Sequence, residues 1–489
     1  MRAIILAACL LCVSVPTAHA AEHPVLSAFG LESAPAGAEL YLLRTARPLP
    51  PGARLNVLAQ RGHTYLVTGD PLELERLAGL GVDLNRVPAV PRSAGPGRQW
   101  QRITTADPQV QYLVDQVTWS GIAAKIGWLQ DFGTRWSYSS QCLAAADSLH
   151  AFFTDLYLPV EFQDFEHMWN PCRNVIATQV GATYPDSIFV ICGHYDSISD
   201  QSGSNAPGAD DNGSGTAAVL TAAEIFARET FDYTIKYICF SAEEQGLVGS
   251  QFYAAWARQQ DLQIVGALNF DMLAWWTDGV DFDLELEANV SSVWLVDAIA
   301  NAADLYTSMP YEIHVDNGAW WGDHASFWGE GYHAVNHEES WDWYDPDFNP
   351  FYHSIRDVLE ECHPGFALGN TRIAVAALAT LAGLVGPTPV TADDRPVDRP
   401  LSLAASPNPF NGLVSVTILA PATVAETRLG FYDVAGRLIH WTTVPLREGS
   451  GEYRWNLRGM VGEELGAGLY LCRALDVPSA LPVKLVYVK

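Results

Sequence analysis

The sequence SIFVICGHYDS, residues 187–197, joins an apolar run to a polar segment that starts with glycine and histidine. The run at 187–192 is typical of a strand that is buried on both faces, as in parallel sheets. An Ala-rich stretch at 215–228 has helical spacing, and a second apolar strand follows at 234–240. The alternation continues with a helix, a strand and a helix at 246–259, 264–270 and 293–305. We therefore expect an α/β fold, with a mostly parallel sheet flanked by helices.

Shifts in composition divide the rest of the chain. A basic start, a short apolar run and a small-residue cleavage pattern predict a secretory signal, so we expect a secreted or cell-surface protein. The next region has short strand-like runs and one helix, which indicates a small α+β unit that is either a pro-segment or an accessory domain. The last region has short strands at regular spacing and predicts a β-sandwich. The predicted boundaries are 1–20 for the signal, 22–95 for the N-terminal segment, 99–386 for the α/β domain, 387–400 for a linker and 401–489 for the β-sandwich.

The charge balance limits the partners. The 489 residues carry a formal net charge of -28. Such an acidic chain repels nucleic acid and anionic lipid, so we expect neither as a partner. The apolar run at 373–385 is too short to span a bilayer and fits a core helix better, so we expect no membrane insertion.

Six cysteines follow the signal. Export permits disulfides, and Cys142 and Cys172, in polar surroundings, are the favoured pair. Cys192 and Cys239 lie inside apolar strand-like runs and are expected to be buried free thiols. No cysteine cluster has the spacing of a zinc site.

Imidazoles and carboxylates follow the predicted strands. His194 and Asp196 follow the first strand, Asp211 opens the next helix, and a Glu-Glu pair and Asp271 follow the two later strands. Each residue alone would be interpreted as a strand end or a helix cap. In an open α/β sheet, however, ligands bind beyond the carboxyl ends of the strands. Together these residues therefore predict a metal site.

The residue types suit a pair of metal ions. Imidazole and carboxylate are the expected zinc ligands where cysteine is absent. Two metals roughly 3.5–4 Å apart need a carboxylate between them, and hydrolysis needs a second carboxylate that is free to accept a proton. Glu243 and Glu244, adjacent in the sequence, could divide the tasks of ligand and base.

Six motifs, taken in order, resemble the M28 family of co-catalytic zinc peptidases, and the resemblance covers about residues 99–385. It implies two zinc ions, peptide substrates and release of the N-terminal residue. The motifs are Gly-His-Tyr-Asp-Ser (193–197), Pro-Gly-Ala-Asp-Asp-Asn-Gly-Ser-Gly (207–215), Glu-Glu-Gln-Gly-Leu-Val-Gly-Ser (243–250), Asn-Phe-Asp-Met (269–272), Asp-His-Ala-Ser-Phe (323–327) and Tyr-His-Ser-Ile-Arg-Asp (352–357).

The resemblance also implies a role for each matching residue. It implies that His194 and His353 each bind one zinc ion and that the Asp211 carboxylate bridges the two ions. Glu244 and Asp271 would be the remaining carboxylate ligands, and Glu243 the general base. Asp196 would orient an imidazole, and Asp323 and His324 would be supporting residues. Some relatives have a tyrosine shortly before the Asp-His-Ala-Ser motif, whereas residues 317–322 contain none.

The C-terminal region resembles Ig-like domains of secreted bacterial proteins, some of which are sorting signals. The resemblance rests on residues 406–411, 432–437 and 468–470. It implies that this region could engage a secretion machinery.

Three alternatives remain open: a single-zinc glutaminyl cyclase of the same fold, a carboxypeptidase, and a surface binding protein on an inactive peptidase scaffold. Tryptophans are dense around the motifs and predict a pocket for a hydrophobic first residue, with core packing as the alternative. They are Trp275, Trp276, Trp320, Trp321, Trp328, Trp341 and Trp343.

Overall fold

The computed structural model describes residues 23–87, 100–340, 346–385 and 401–488, with short gaps in the first and last ranges at 32, 36–37, 46–48, 50–52, 63, 79–81, 407, 409, 421–423, 434–436, 448–449, 457–464 and 476–481. The predicted signal and the linker at 387–400 lie outside the described residues. The chain forms two structural units, 1–386 and 387–489. Among the described residues, no helix combines the length and the apolar character that crossing a membrane requires.

The N-terminal segment is an α+β unit, as the sequence predicts, and consists of a four-stranded antiparallel sheet with two short helices in place of the single predicted helix. Its strands lie in the order β2-β3-β1-β4. Its elements are α1 (Pro24–Ala28), β1 (Leu40–Arg44), β2 (Leu55–Arg61), β3 (Thr64–Gly69), α2 (Pro71–Ala78) and β4 (Asp83–Val87).

An eight-stranded sheet forms the centre of the first unit, in the order β11-β10-β12-β9-β7-β8-β6-β5. Four of its seven neighbouring pairs are parallel, so the expected parallel core is present within a mixed sheet. Its strands are β5 (Val160–His167), β6 (Asn170–Gln179), β7 (Tyr184–His194), β8 (Tyr233–Phe240), β9 (Gln263–Phe270), β10 (Leu284–Ala288), β11 (Tyr311–Val315) and β12 (Ala334–Glu338).

Helices cover both faces of this sheet. Phe189 and Ile191 of β7 face one hydrophobic cluster, while Ile188 and Val190 face the other, which explains the continuous apolar run of this strand. The expected core helix at 373–385 lies largely in α10. The helices are α3 (Pro108–Asp115), α4 (Trp119–Gln130), α5 (Ser140–Asp155), α6 (Gly213–Phe226), α7 (Val248–Gln259), α8 (Val293–Tyr306), α9 (His324–Gly329) and α10 (Pro364–Leu381).

The N-terminal segment shares a hydrophobic cluster with one face of the central sheet. Leu40, Leu42 and Leu66 of the segment belong to the same buried cluster as Ile188 and Val190 of β7. The Gln251 side chain also donates a hydrogen bond of 3.1 Å to the Arg86 carbonyl. The segment is therefore packed on the α/β domain as part of one folded unit.

This shared cluster predicts that Leu42→Ala destabilises the whole first unit. Leu42 is 2% exposed, and emptying such a site costs about 2–5 kcal/mol. Urea unfolding would measure the loss, with Leu72→Ala as the control because Leu72 is 70% exposed on α2. Equal, small effects of both substitutions would show that the segment is not packed on the domain in solution.

The second unit consists of two antiparallel sheets around one hydrophobic cluster, in agreement with the predicted β-sandwich. The sheets have the orders β13-β14-β17 and β16-β15-β18-β19. Trp455, fully buried, packs against Phe431 of the other sheet with ring centroids 4.4 Å apart. The strands are β13 (Ser402–Ser406), β14 (Val414–Leu419), β15 (Glu426–Asp433), β16 (Leu438–Pro445), β17 (Ser450–Trp455), β18 (Gly468–Ala474) and β19 (Val483–Tyr487).

The expected disulfide between Cys142 and Cys172 is not formed, and this prediction was wrong. Both residues are buried free thiols. Cys142 lies on α5 with its Sγ 3.9 Å from the Ser241 hydroxyl, whereas the Cys172 Sγ lies 4.0 Å from the Ser137 carbonyl. Cys192 and Cys239 are free and buried as expected.

Candidate metal centre

Three parallel strands bring the predicted ligands to one edge of the sheet. His194 ends β7 opposite Phe240 of β8, and Cys192 pairs with Asn269 of β9. The residues that follow Phe240 and Phe270 therefore emerge beside His194, as expected at the carboxyl edge of a parallel sheet. His353 reaches the same place from a loop far along the chain.

The first group of potential metal ligands contains His194, Asp211 and Asp271. The Nε2 atom of His194 lies 3.3 Å from Asp211 Oδ1 and 3.4 Å from Asp271 Oδ1. Asp271 Oδ1 is buried and has no hydrogen-bond donor among the described residues. These separations suit atoms that surround one zinc ion at ~2.0–2.1 Å in a tetrahedral arrangement.

The second group contains His353, Asp211 and Glu244. The Nε2 atom of His353 lies 3.1 Å from Asp211 Oδ2 and 2.9 Å from Glu244 Oε2. Asp211 thus directs one carboxylate oxygen to each histidine. This arrangement fits a carboxylate shared by two metal ions.

Close backbone approaches form the floor of the site. A Cβ atom on Gly215 would lie 2.1 Å from the Phe270 carbonyl oxygen, and one on Gly193 would lie 2.8 Å from the same oxygen. Glycine at these positions lets the end of β7 and the start of α6 approach β9. The Thr216 hydroxyl then donates a hydrogen bond of 2.6 Å to the His194 carbonyl.

Three non-glycine residues beside or within the ligand set have left-handed backbone angles. Ala242 precedes Glu243, Met272 follows Asp271, and His353 is itself one of the three, with φ values of 58°, 51° and 52°. This conformation is uncommon for residues with a Cβ atom. Strained backbone of this kind concentrates at functional sites, where the surrounding structure holds it.

Asp196 contacts the imidazole differently from the expectation. His194 Nδ1 donates to the Asp196 backbone carbonyl at 3.1 Å, whereas the Asp196 carboxylate is farther away, at 3.6 Å. The carboxylate instead accepts the backbone N–H groups of Glu243 and Glu244 at 3.2 and 3.3 Å. The Asp196 carbonyl therefore orients the His194 ring so that Nε2 faces the ligand group, and the Asp196 carboxylate positions the backbone of both glutamates.

Glu243 lies beside the ligand set without belonging to either group. Its Oε2 atom is 3.8 Å from His194 Nε2. Burial, followed by the charge of Glu244, raises the pKa of Glu243 well above its usual value, although His194 opposes the shift. Burial and Asp211 likewise raise the pKa of Glu244, to about 8. A carboxylate with a raised pKa can accept and return a proton.

The pKa values of the two histidines reflect the same excess of negative charge around them. Burial acts to lower the pKa of His194, but Asp271 and Glu243 raise it well above the usual range. For His353, burial again acts downward, and Glu244 and Asp211 raise the pKa well above the usual range. Buried carboxylates crowded in this way require positive charge, which metal ions supply.

Two residues that the sequence analysis did not single out hold the loop that carries Asp211. The Asp357 carboxylate accepts the backbone N–H groups of Asp210 and Asp211 at 2.9 and 3.0 Å. The fully buried Arg135 guanidinium donates to the carbonyls of Tyr195, Pro207 and Gly208 at 2.6–2.7 Å. Asp357 closes the quoted motif at 352–357 and could have been found there, whereas Arg135 carries no local signal.

These contacts predict that Asp357→Asn weakens metal binding. The amide cannot accept both backbone N–H groups as a carboxylate does, so the Asp211 loop should shift. Loss of such an outer contact typically costs 10–100-fold in metal affinity. Competition with a chromogenic chelator would measure the affinity. Asp186→Asn is the control, because Asp186 is exposed near the start of β7, at the opposite end of this strand from His194. Unchanged affinity in Asp357→Asn would contradict the role of Asp357.

Asp323 and His324 lie behind the ligands. Asp323 is fully buried, and its pKa rises to about 7, first through burial and then through the charges of Asp271 and Asp196, against the opposing effect of His194. His324 Nε2 lies 2.8 Å from the Ala319 carbonyl. Neither residue belongs to a group of potential metal ligands among the described residues. Their supporting role stays a prediction.

The tryptophans near the site are largely packed. Trp320 and Trp328 are each 3% exposed within the cluster that includes the N-terminal segment. The indole N–H groups of Trp320 and Trp321 donate to the Asn317 carbonyl and to Glu287 Oε2. They are therefore already bonded, and do not replace the tyrosine that is absent from 317–322. Trp341 and Trp343 lie outside the described residues.

Comparisons with known proteins find a matching family and several similar chains. Residues 174–378 match peptidase family M28. A probable zinc metalloprotease of Leptosphaeria maculans is 31% identical over 190 residues, which cover 34% of this chain and 44% of that protein. A probable aminopeptidase of Saccharomyces cerevisiae is 28% identical over 267 residues, which cover 51% of this chain and 69% of that protein. This chain thus spans less than half of the first of these relatives.

A solved structure shares the fold. The LapA aminopeptidase of Legionella pneumophila superimposes with a TM-score of 0.56 at 19% identity, over 71% of this chain and 98% of that chain. The first unit therefore combines the fold of that aminopeptidase with two groups of potential metal ligands. The segment 174–378 is thus similar to peptidase family M28.

Proposed function

We propose that this protein is a di-zinc aminopeptidase that releases N-terminal residues from peptides. The observation that carries the proposal is Asp211, which offers one oxygen to His194 and the other to His353. The imidazole and carboxylate donors suit zinc. The two descriptions of relatives, a probable zinc metalloprotease and a probable aminopeptidase, support the metal and the choice of peptide end.

The chain's own residues would divide the reaction as follows. His194, Asp211 and Asp271 would hold one zinc ion, and His353, Asp211 and Glu244 the other. Bound zinc supplies Lewis-acid polarisation of the scissile carbonyl and activation of water.

Glu243 would act as the base. Its carboxylate lies 3.8 Å from His194 Nε2 without belonging to either group, and it would take a proton from the attacking water and deliver it to the leaving amine. Asp196 holds the backbone of Glu243 in place during this transfer.

Hydrolysis of leucyl-anilide by the purified protein tests the proposal. We expect release of leucine that a chelator abolishes and added zinc restores, with two metal equivalents per chain in the active form. A single equivalent with cyclisation of N-terminal glutamine would favour a glutaminyl cyclase. Release from the carboxyl end would favour a carboxypeptidase, and no turnover of any of these substrates would favour a binding role.

Two further proposals concern location and substrate. We propose that the protein is exported to the medium or the cell surface, supported by the signal-like residues 1–20, and that the β-sandwich unit engages a secretion machinery, supported by its Ig-like motifs. Fractionation of cells that express the full chain or residues 1–386 tests both. The preference for a hydrophobic first residue stays a prediction, and packing of Trp320 and Trp328 in the core weakens its basis.

A further inference from the structure

The loop that carries Glu243 has three left-handed backbone positions. We call residues 242–247, between β8 and α7, the glutamate loop. Ala242, Gly246 and Leu247 have φ values of 58°, 104° and 61°. Two of these residues carry a Cβ atom, for which this conformation is uncommon. A backbone of this kind keeps its conformation only where the surrounding contacts hold it.

The backbone of Glu243 is held from both sides. Its N–H group donates to the Asp196 carboxylate, and its carbonyl accepts the N–H groups of Gly246 and Leu247, both at 2.7 Å. A displacement of Gly246 would therefore move Glu243, because a short hydrogen bond connects the two residues directly. The position of Gly246 is thus part of what sets the position of the proposed base.

Gly246 lies directly against the N-terminal segment. A Cβ atom at this position would lie 2.9 Å from the Leu84 carbonyl oxygen, so only glycine lets the loop lie this close to β4. The next residue, Leu247, is buried and belongs to the same hydrophobic cluster as Val87, the last residue of β4. The glutamate loop therefore borders the segment along β4.

One side chain links the segment to the loop by hydrogen bonds. Gln251 lies in the first turn of α7. Its Nε2 atom donates to the Arg86 carbonyl of β4 at 3.1 Å and to the Gly246 carbonyl at 3.3 Å. The amide nitrogen has two N–H groups, so it can serve both acceptors at once. Gln251 thus joins β4 to the residue whose N–H group holds the Glu243 carbonyl.

The segment also contacts the stretch that leads to Asp323. A Cβ atom on Gly318 would lie 2.8 Å from the Cβ atom of Ala28 in α1. The Arg44 guanidinium, at the end of β1, lies 4.6 Å from the centroid of the Trp321 ring. The segment therefore contacts two loops that lead to residues around the metal centre.

We propose that Gln251 is a positioning residue for Glu243, and that through it the N-terminal segment holds the proposed base in place for catalysis. This inference rests on the proposed aminopeptidase function. The hydrogen bonds of Gln251 end on backbone carbonyls and leave the Glu243 carboxylate beside His194. The segment is thus a working part of the active enzyme, whereas an inhibitory pro-segment would lower activity for as long as it stays bound.

Gln251→Met tests the proposal, because it keeps the length of the side chain but removes both N–H groups. We expect kcat for leucyl-anilide to fall about 10-fold, since a small displacement of a catalytic group is costly. KM and the two metal equivalents should not change. Gln251→Lys, whose ammonium group can donate to both carbonyls, should restore most of the loss. Gln259→Met is the matched control, because Gln259 is exposed at the other end of α7.

Three kinetic results would overturn the positioning role. The first is an unchanged kcat in Gln251→Met. The second is a higher kcat, which would show that the segment restrains the enzyme as an inhibitory pro-segment does. The third is an equal loss in Gln251→Met and Gln251→Lys, because the donated hydrogen bonds would then not matter.

Hydrogen exchange of the backbone amides separates this proposal from the proposed function, because it needs no substrate. In Gln251→Met we expect the N–H groups of Gly246 and Leu247 to exchange several-fold faster than in the unaltered protein or in Gln259→Met, since local opening exposes such groups. Unchanged exchange at both positions would overturn the proposal even if kcat fell. Faster exchange in Gln251→Met, with no anilide hydrolysed by the unaltered protein, would support the contact and reject the proposed function.

Discussion

Replacement of Glu243 by glutamine is expected to lower kcat by about 10²- to 10⁴-fold, the usual contribution of a general base. The amide has nearly the same shape as the carboxylate but cannot accept a proton from water. Because Glu243 belongs to neither ligand group, both metal equivalents should remain bound. Its backbone N–H would still donate to Asp196, so the loop should keep its position.

Steady-state hydrolysis of leucyl-anilide, together with metal analysis of the same samples, would measure both effects. The control is Glu161→Gln, which makes the same chemical change on an exposed strand at the edge of the sheet. If Glu243→Gln lost metal in parallel with activity, Glu243 would be a ligand. If it kept full activity, another residue would be the base.

A comparably large effect is expected for Asp211→Asn. Asparagine has one carbonyl oxygen and an amide nitrogen in place of the two oxygens that face His194 and His353. One metal group must then lose its shared ligand. Loss of one metal ion removes several kcal/mol of transition-state stabilisation, so activity should fall by roughly 10³-fold or more. Metal content should drop below two equivalents per chain.

Asp186→Asn is the matched control for this substitution, because Asp186 is exposed near the start of β7, at the opposite end of this strand from His194. Metal content measured by mass spectrometry, and kcat measured after zinc is added back, separate weaker binding from lost chemistry. Two tightly bound equivalents in Asp211→Asn would contradict the bridging role. Such a result would mean that each ligand group can hold its metal ion without the shared Asp211 carboxylate.

The sequence was sufficient to find the α/β core because its pattern is local. Buried strands such as β7 need apolar residues on both faces, so the run at 187–192 is visible without any knowledge of the neighbours. The residues that follow β7, β8 and β9 could also be predicted to meet, since parallel strands end at a common edge.

Other strands were not predicted from the sequence, because their residue pattern depends on their surroundings in the fold. Strand β5 is largely polar, and both β5 and β11 are partly exposed with polar residues between the apolar ones, so they lack a continuous apolar run. In β10, glutamates alternate with leucines, and all five positions are buried. The disulfide prediction failed for the same reason, because a polar local sequence does not reveal that both Cys142 and Cys172 are buried in separate environments.

The sequence by itself thus determined the α/β fold class, the chemical types of the potential ligands and their position after the ends of the strands. Only the tertiary structure decided that Asp211 faces both histidines and that Asp357 holds the Asp211 backbone. It also decided that β12 lies between β9 and β10, although it follows β11 in the chain. Strand pairing between distant segments is set by packing of the whole sheet, and no local pattern encodes it.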